Sequence, residues 1–224
     1  TADTTGGGLL YETSDNYYEV ASATEFLDAL VAVKKSGQPS VIELQADICL
    51  GDNEVDDFDS YSSVITSHSH PALTHPLLME SGVSKLYIKG MSDLTIFSKE
   101  GYSLKHVAVD INGSENIIIR NIRFDELWEW DEETEGDYDV NDWDYVTVEG
   151  GSDQIWIDHC TFHKAYDGVV DIKTDKTTET NVTISWCEFL PGSEENEFFN
   201  QMMDTMAASP EDYPYYESLL ETGM

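Results

Sequence analysis

One short pattern recurs four times along the chain and limits the folds available to it. The segment DLTIF begins at residue 93, and three nine-residue segments follow: NIIIRNIRF from 116, QIWIDHCTF from 154 and NVTISWCEF from 181. In the nine-residue segments apolar and polar residues alternate, and all three end in phenylalanine (Phe124, Phe162 and Phe189). A pattern that returns in register every few tens of residues is typical of a solenoid, in which each repeat forms one coil.

The sequence between the repeats favours an all-β chain. Each nine-residue segment is preceded by another short strand pattern and a polar turn, and no helical periodicity separates the strands, which argues against βαβ units. The longest gap between repeats contains an acidic insertion, at about residues 125–141. We therefore predict a single-stranded parallel β-helix domain over residues 1–189.

An amphipathic helix is predicted near the start, over about residues 22–36. Ser22 and Glu25 form a capping-box pattern, and Gly37 follows the last apolar turn. Because the open end of a solenoid needs a cover, we expect this helix to cap the first coil.

The acidic segment 190–224 departs from the strand pattern. It predicts two short helices, about 195–207 and 214–222, interrupted at Pro210. These helices either fold back over the last coil or belong to an insertion after which more coils follow. We favour the second interpretation.

The charge of the chain limits its partners. Its 45 acidic and 11 basic residues give a net charge of −34, which repels nucleic acid and anionic membranes. A run of eighteen apolar residues, the length that spans a membrane, does not occur in the sequence. Cation binding, a neutral ligand or simple solubility remain as explanations of the charge.

The three cysteines are too few, and odd in number, for a disulfide framework. We interpret Cys49, Cys160 and Cys187 as small apolar core residues. A Cys160–Cys187 disulfide stays open, because both residues occupy the same position of the repeat.

Four aspartates on neighbouring predicted coils are candidate metal ligands. Asp142 and Asp144 lie two residues apart, so a strand presents them on one face, and Asp167 and Asp171 follow one coil later. Coils stack about 4.8 Å apart, which brings the carboxylates together, and a hard cation such as Ca²⁺ would remove their repulsion. The alternative is a solvated acidic face.

Several motifs together resemble polysaccharide lyase family 1, the pectate lyases. TTGGG, NIIIRNIRF, WIDHCTF, DGVVDIK and VTISWCEF occur in this order within residues 4–189. The resemblance implies a right-handed parallel β-helix and Ca²⁺-dependent β-elimination of polygalacturonate (pectate), which yields 4,5-unsaturated oligogalacturonides. It also implies a secreted protein, extracellular or periplasmic, whose signal peptide is already removed.

The resemblance assigns roles to named residues. The calcium ligands of the family fall on the four residues already chosen by spacing: Asp142, Asp144, Asp167 and Asp171. The WIDH strand, which is mainly structural in the family, falls on Trp156, Asp158 and His159.

The chain departs from the family after the last repeat. The family's catalytic base is an arginine on a later coil, and a substrate-binding lysine follows the VTIS strand, but here the last basic residue is Lys176. Arg120 and Arg123 lie on an earlier strand, where we expect them to neutralise neighbouring acids. We therefore expect the catalytic arginine beyond Met224, and an isolated chain that is inactive or active only with a C-terminal complement.

Two other functions remain open at this point. A β-helix galacturonan hydrolase would use a carboxylic acid and a base without calcium. A non-catalytic carbohydrate-binding or surface solenoid would need no base at all.

Two further groups have alternative interpretations. His68, His70 and His75 form either a transition-metal site or an ordinary polar loop, and their irregular spacing favours the loop. The tryptophans near the acidic insertion either stack on sugar rings or pack onto the coil; these are Trp128, Trp130 and Trp143.

Overall fold

A computed structural model describes residues 4–68, 80–128, 132, 143–165, 167–174, 177–194 and 196–222. Its strands, numbered β1 to β16 in chain order, form three sheets. The first sheet contains, in spatial order, β1 (Tyr17–Val20), β2 (Ser40–Leu44), β6 (Ser92–Ser98), β9 (Glu115–Arg120), β12 (Asp153–Asp158) and β15 (Val182–Ser185). The second contains β16 (Glu188–Leu190), β13 (Thr161–His163), β10 (Arg123–Asp125), β7 (Ser103–Lys105) and β3 (Ile48–Cys49). The third contains β14 (Val170–Ile172), β11 (Val146–Glu149), β8 (Val107–Asn112), β5 (Ser84–Lys89) and β4 (Ile65–Ser67).

From β6 to β16 the chain visits the first, second and third sheets in strict rotation. Apart from the antiparallel β4–β5 pair, the paired strands run parallel. The chain is therefore a right-handed parallel β-helix, and the predicted fold class is confirmed.

The repeats occupy equivalent places on successive coils. In the first sheet Ile117 pairs with Ile155, and Ile155 pairs with Val182. In the second sheet Phe124, Phe162 and Phe189 follow one another, with ring centroids 4.9 and 5.4 Å apart and nearly parallel rings. The alternation fixes this register, because a slip of one residue would turn the apolar side chains outward.

The N-terminal helix α1 (Ala23–Ser36) begins and ends at the predicted signals. Ser22 Oγ accepts a hydrogen bond from the Glu25 amide at 3.2 Å, and Gly37 ends the helix in the left-handed conformation, with φ 59°. Its buried face, which includes Phe26 and Leu30, packs on β1 and β2 at the start of the first sheet. Strand β1 precedes this helix and was not predicted.

The TTGGG segment packs closely against the first sheet. The amides of Thr5 and Gly6 donate to Asn116 Oδ1 at 2.7 and 2.9 Å. A Cβ on Gly7 would lie 2.1 Å from the Ser40 carbonyl oxygen, so only glycine fits there. These contacts tie the N-terminal segment to strands β2 and β9 of the first sheet.

Two helices follow the last strand: α2 (Glu197–Ala208) and α3 (Pro214–Thr222). Met202 and Met206 of α2 are fully buried in the hydrophobic core cluster, so this helix packs against the coils. Apolar residues of the last coil stay accessible, among them Ile184 at 40% and Phe189 at 54% exposure. Among the described residues, none of the helices combines the length and apolarity needed to cross a bilayer.

The start of the predicted acidic insertion, at about residue 125, lies at the end of β10. Asp125 ends β10, and both Asp125 and Glu126 are buried, so the coil continues past residue 125. Most of the remaining insertion, including Trp130, lies outside the described residues. The division into residues 1–189 and 190–224 stays a prediction.

All three cysteines are free, so the structure contains no Cys160–Cys187 disulfide. Cys160 is buried as expected, whereas Cys49 and Cys187 are only partly buried. The core interpretation therefore fits Cys160 best.

Candidate functional site

The third sheet carries polar side chains in a single column across successive coils. Strand pairing aligns Tyr87, Asp110, Thr147 and Asp171 on β5, β8, β11 and β14. Neighbouring strands lie about 4.8 Å apart, so this column brings carboxylates from different coils to one face of the molecule.

Asp144 lies two residues before β11 and is almost fully buried. Its Oδ2 accepts a hydrogen bond from Thr147 Oγ1 at 3.3 Å. A Cβ on Gly168 would lie only 1.9 Å from Asp144 Oδ1. The backbone of the next coil therefore closes over this carboxylate, at a position between Asp167 and Asp171.

The other predicted ligands differ in environment. Asp167 is exposed, and Asp171, on β14, pairs with Lys173 at 3.3 Å between carboxylate oxygen and Nζ. In the described part of the chain, the oxygens of Asp144, Asp167 and Asp171 do not form a group of three within 4.8 Å of one another. Asp142 lies outside the described residues.

Asp110 is a carboxylate of the same column that sequence reasoning missed. It is buried, lies 3.7 Å from Lys85 Nζ, and its Oδ1 has no hydrogen-bond partner. Burial raises the pKa of this carboxyl group. Asp110 lies in VAVDIN (residues 107–112), one of the short strand patterns that precede the repeats, but only the register shows that it lies beside Thr147.

The WIDH strand has the contacts of a scaffold. Asp158 is buried, and its oxygens accept hydrogen bonds from Ser185 Oγ at 2.7 Å and lie 3.2 Å from Arg120 Nε and 2.8 Å from His159 Nδ1. Trp156 Nε1 donates to Ser185 Oγ at 2.8 Å. These contacts join three adjacent coils through β9, β12 and β15.

The pKa of Asp158 shows the balance of these contacts. Burial opposes its ionisation, but the Ser185 and His159 hydrogen bonds and the Arg120 charge outweigh burial and hold the pKa below its usual value. Arg120 thus neutralises a neighbouring acid, as the sequence predicted for it.

Trp143 and Trp128 pack against other side chains, which agrees with the packing interpretation of the tryptophans. His68 lies 5.7 Å from Trp143 between ring centroids, and Trp143 is fully buried. Trp128 packs edge-on against Phe199 at 4.9 Å. His70 and His75 lie outside the described residues.

Asp110 and Asp171 of this column, with Asp144 beside it, offer oxygen donors to a hard cation. Its donors are oxygens, which Ca²⁺ prefers, and the buried Asp144 is held against the Gly168 backbone. The sequence has no lysine or arginine after Lys176, the region in which the resemblance to the family places the catalytic arginine.

Comparison with known proteins identifies the family. The sequence profile of the family described as pectate lyase matches residues 1–196. Pectate lyase B of Paenibacillus amylolyticus is 45% identical over 217 residues, which cover 96% of this chain and 53% of that protein. A pectate trisaccharide-lyase of Thermotoga maritima is 40% identical over 106 residues, 47% of this chain and 27% of that protein.

Solved structures agree with the sequence matches. The pectate lyase pelN from Paenibacillus sp. 0602 superimposes with a TM-score of 0.84 at 44% identity, over 97% of this chain and 47% of that one. A Bacillus subtilis pectate lyase, at 21% identity and a TM-score of 0.52 over 87% of this chain and 60% of that one, shares the fold. The chain thus spans about half the length of its Paenibacillus relatives, and it belongs to the pectate lyase family.

Proposed function

We propose that this chain contributes the calcium-binding coils of a secreted enzyme that cleaves polygalacturonate by β-elimination. The observation that carries the proposal is the buried Asp144 carboxylate, which the Gly168 backbone covers between Asp167 and Asp171. Membership of the pectate lyase family and the name of the Paenibacillus amylolyticus relative support the substrate class.

In this proposal Asp144, Asp167 and Asp171 hold Ca²⁺ together with Asp142. A bound Ca²⁺ would draw electrons from the uronate carboxylate and acidify the proton at C5 of the sugar. Asp171 would have to exchange its ion pair with Lys173 for the metal, whereas Asp144 is already fixed by Thr147 and Gly168.

The proton at C5 must pass to a base that this chain does not supply in the expected place. Arg120 is engaged with Asp158 on the first sheet, and no lysine or arginine follows Lys176. We therefore propose that the chain binds pectate through calcium, and that turnover requires further coils. The accessible apolar residues of the last coil, such as Ile184 and Phe189, offer a surface on which such coils can stack.

The test measures binding and turnover separately. The chain is titrated with polygalacturonate in the presence of Ca²⁺ or a chelator, and formation of the unsaturated product is followed by its ultraviolet absorbance. We expect calcium-dependent binding without product from the chain alone, and product from the full-length Paenibacillus amylolyticus relative as positive control.

Three outcomes would contradict the proposal. Unsaturated product from the chain alone would show that it carries its own base. Chelator-resistant cleavage without unsaturation would indicate a hydrolase. Binding without turnover, in a protein extended to the length of the relatives, would indicate a non-catalytic carbohydrate-binding solenoid.

A further inference from the structure

A second group of candidate metal ligands lies away from the candidate calcium ligands Asp144, Asp167 and Asp171. Within the described ranges, Cys49, Glu54 and His106 each place one ligand atom within 4.8 Å of the other two. Cys49 ends β3, Glu54 lies in the loop that follows, and His106 lies between β7 and β8. The three residues come from two adjacent coils of the solenoid.

Strand pairing brings these residues together. Cys49 pairs with Lys105, the neighbour of His106, and the Leu50 amide donates to the Lys105 carbonyl at 3.0 Å. His106 has a left-handed backbone with φ 57°, a conformation in which histidine is enriched among non-glycine residues. This turn lets its side chain leave the regular alternation of the strands on either side.

Hydrogen bonds hold Glu54 beside the histidine. Glu54 Oε2 accepts from the Gly51 amide at 2.9 Å and lies 2.7 Å from His106 Nδ1. The loop thus presents its carboxylate to the imidazole in a defined position.

The His106 side chain is only 8% exposed, and its Nε2 has no hydrogen-bond partner. A buried polar atom without a partner destabilises a folded protein, so such atoms call for an explanation. A ligand held by the imidazole would provide one.

The cluster is reachable from solvent. A cavity of about 410 Å³ is lined by Glu54, His106, Ser81, Phe198 and Gln201, among others. The Phe198 ring of α2 lies 4.6 Å from the His106 ring between centroids, which forms one wall. An ion at the cluster would keep an open coordination position toward this cavity.

We propose that Cys49, Glu54 and His106 bind one Zn²⁺ ion. Thiolate, imidazole and carboxylate are the ligand types that zinc takes in proteins, usually four in a tetrahedron, with water in any position the protein leaves open. Calcium and magnesium select oxygen ligands alone, so the thiol distinguishes this site from the candidate calcium site. The proposal does not depend on the calcium site or on pectate cleavage.

The required adjustment is small. Two ligand atoms of a tetrahedral zinc site lie roughly 3.3 Å apart, and the three ligand atoms of the cluster already lie within 4.8 Å of one another, so small side-chain shifts bring them onto one ion. Such an ion would join β3 to the β7–β8 turn and would lie under α2.

The test uses the purified full chain with Zn²⁺, and with Co²⁺ as a spectroscopic probe. We expect one Zn²⁺ per chain in a chelator-competition titration, and a thiolate-to-cobalt charge-transfer band in the near ultraviolet. Cys49→Ser and His106→Asn should weaken zinc binding at least ~100-fold, because each removes a ligand, and Cys49→Ser should abolish the band.

Cys187→Ser is the matched control, because Cys187 is also a partly buried free cysteine and lies outside the cluster. It should leave affinity and the cobalt band unchanged. If a ligand variant fails to fold, judged by circular dichroism, Glu54→Gln replaces it, since Glu54 lies in a loop and is exposed. Zinc affinity unchanged in the folded ligand variants, or a cobalt band lost in Cys187→Ser and kept in Cys49→Ser, would overturn the assignment.

Discussion

At the scale of single residues, Gly168 decides how Asp144 is held. Asp144 Oδ1 occupies the space that a Cβ at position 168 would need. Interiors are close-packed, so one methyl group is enough to displace the carboxylate. The glycine therefore belongs to the candidate calcium site although it offers no side-chain ligand.

We predict that Gly168→Ala weakens calcium binding by ~10–100-fold, the effect expected when a ligand loses its support. Gly192→Ala is the control, because an added Cβ there meets its nearest atom at 3.4 Å, an ordinary contact. Calcium titration of both variants measures the difference. Equal affinity in the two would mean that Asp144 does not bind the ion.

Asp158 provides a second prediction, which concerns pH. Its folded pKa is lowered, so its ionised form stabilises the fold above its unfolded pKa, near 3.9, and that stabilisation disappears as the pH falls through the folded pKa. Asp158→Asn should lower the free energy of unfolding at pH 7 by about 1–3 kcal/mol. Urea unfolding should show the gap between wild type and variant narrowing below about pH 4; a gap independent of pH would contradict this.

Single buried acids were the residues that the sequence predicted least well. Asp110, Asp125 and Glu126 are buried in a chain of 45 acidic residues, where one more carboxylate gives no signal. The aspartates chosen by spacing had a recognisable pattern, and Asp144 and Asp171 indeed lie on neighbouring coils. Burial and register, which depend on long-range packing, are not encoded in local spacing.

At the scale of elements, the α2 helix is attached to the coils through its N-terminus. Glu126 accepts hydrogen bonds from the amides of Phe198 and Phe199 at 3.2 and 3.0 Å. Asn196 Nδ2 donates to Asp125 Oδ1 at 2.5 Å. Glu126 thus satisfies two backbone amides that the helix itself leaves unpaired, and negative charge is favourable at this end.

We predict that Glu126→Ala releases the start of α2. Loss of the acceptor leaves two amides without partners and should destabilise the fold by about 1–3 kcal/mol. Hydrogen exchange should accelerate at the Phe198 and Phe199 amides, while Glu197→Gln, an exposed change in the first turn, should leave it unaltered. Unchanged protection in Glu126→Ala would rule out this attachment.

We expect the stacked phenylalanines of the second sheet to contribute strongly to the free energy of unfolding. Phe162 is fully buried between Phe124 and Phe189, so Phe162→Ala should cost about 3–5 kcal/mol. Phe189→Ala, at the accessible end of the same column, should cost no more than about half as much, because less area leaves water there. Urea denaturation compares them, and equal losses would contradict the gradient.

Strands and helices with strong local signals were predicted well. Each nine-residue repeat contributes to two strands, in the first and second sheets: β9 and β10, β12 and β13, and β15 and β16. The capping signals predicted both ends of α1 to within one residue. Strand β1 was missed because its four residues YYEV lack a repeat partner in the sequence.

At the scale of the whole molecule, the stacked coils concentrate negative charge. The net charge is −34, and the third sheet aligns Asp110 and Asp171 in one column with Asp144 beside it. Like charges so placed destabilise the fold unless cations or protons neutralise them. Lys85 and Lys173 pair with Asp110 and Asp171, and the proposed calcium ion would neutralise the negative charge that remains.

Calorimetric titration of the chain with Ca²⁺ tests that account most directly, with Asp144→Asn and Asp171→Asn as ligand variants and the exposed Asp204→Asn as control. The account predicts one bound ion, an affinity at least ~10-fold weaker in both ligand variants, and no change in the control. Failure of the wild-type chain to bind Ca²⁺, or equal affinity in all four proteins, would contradict it.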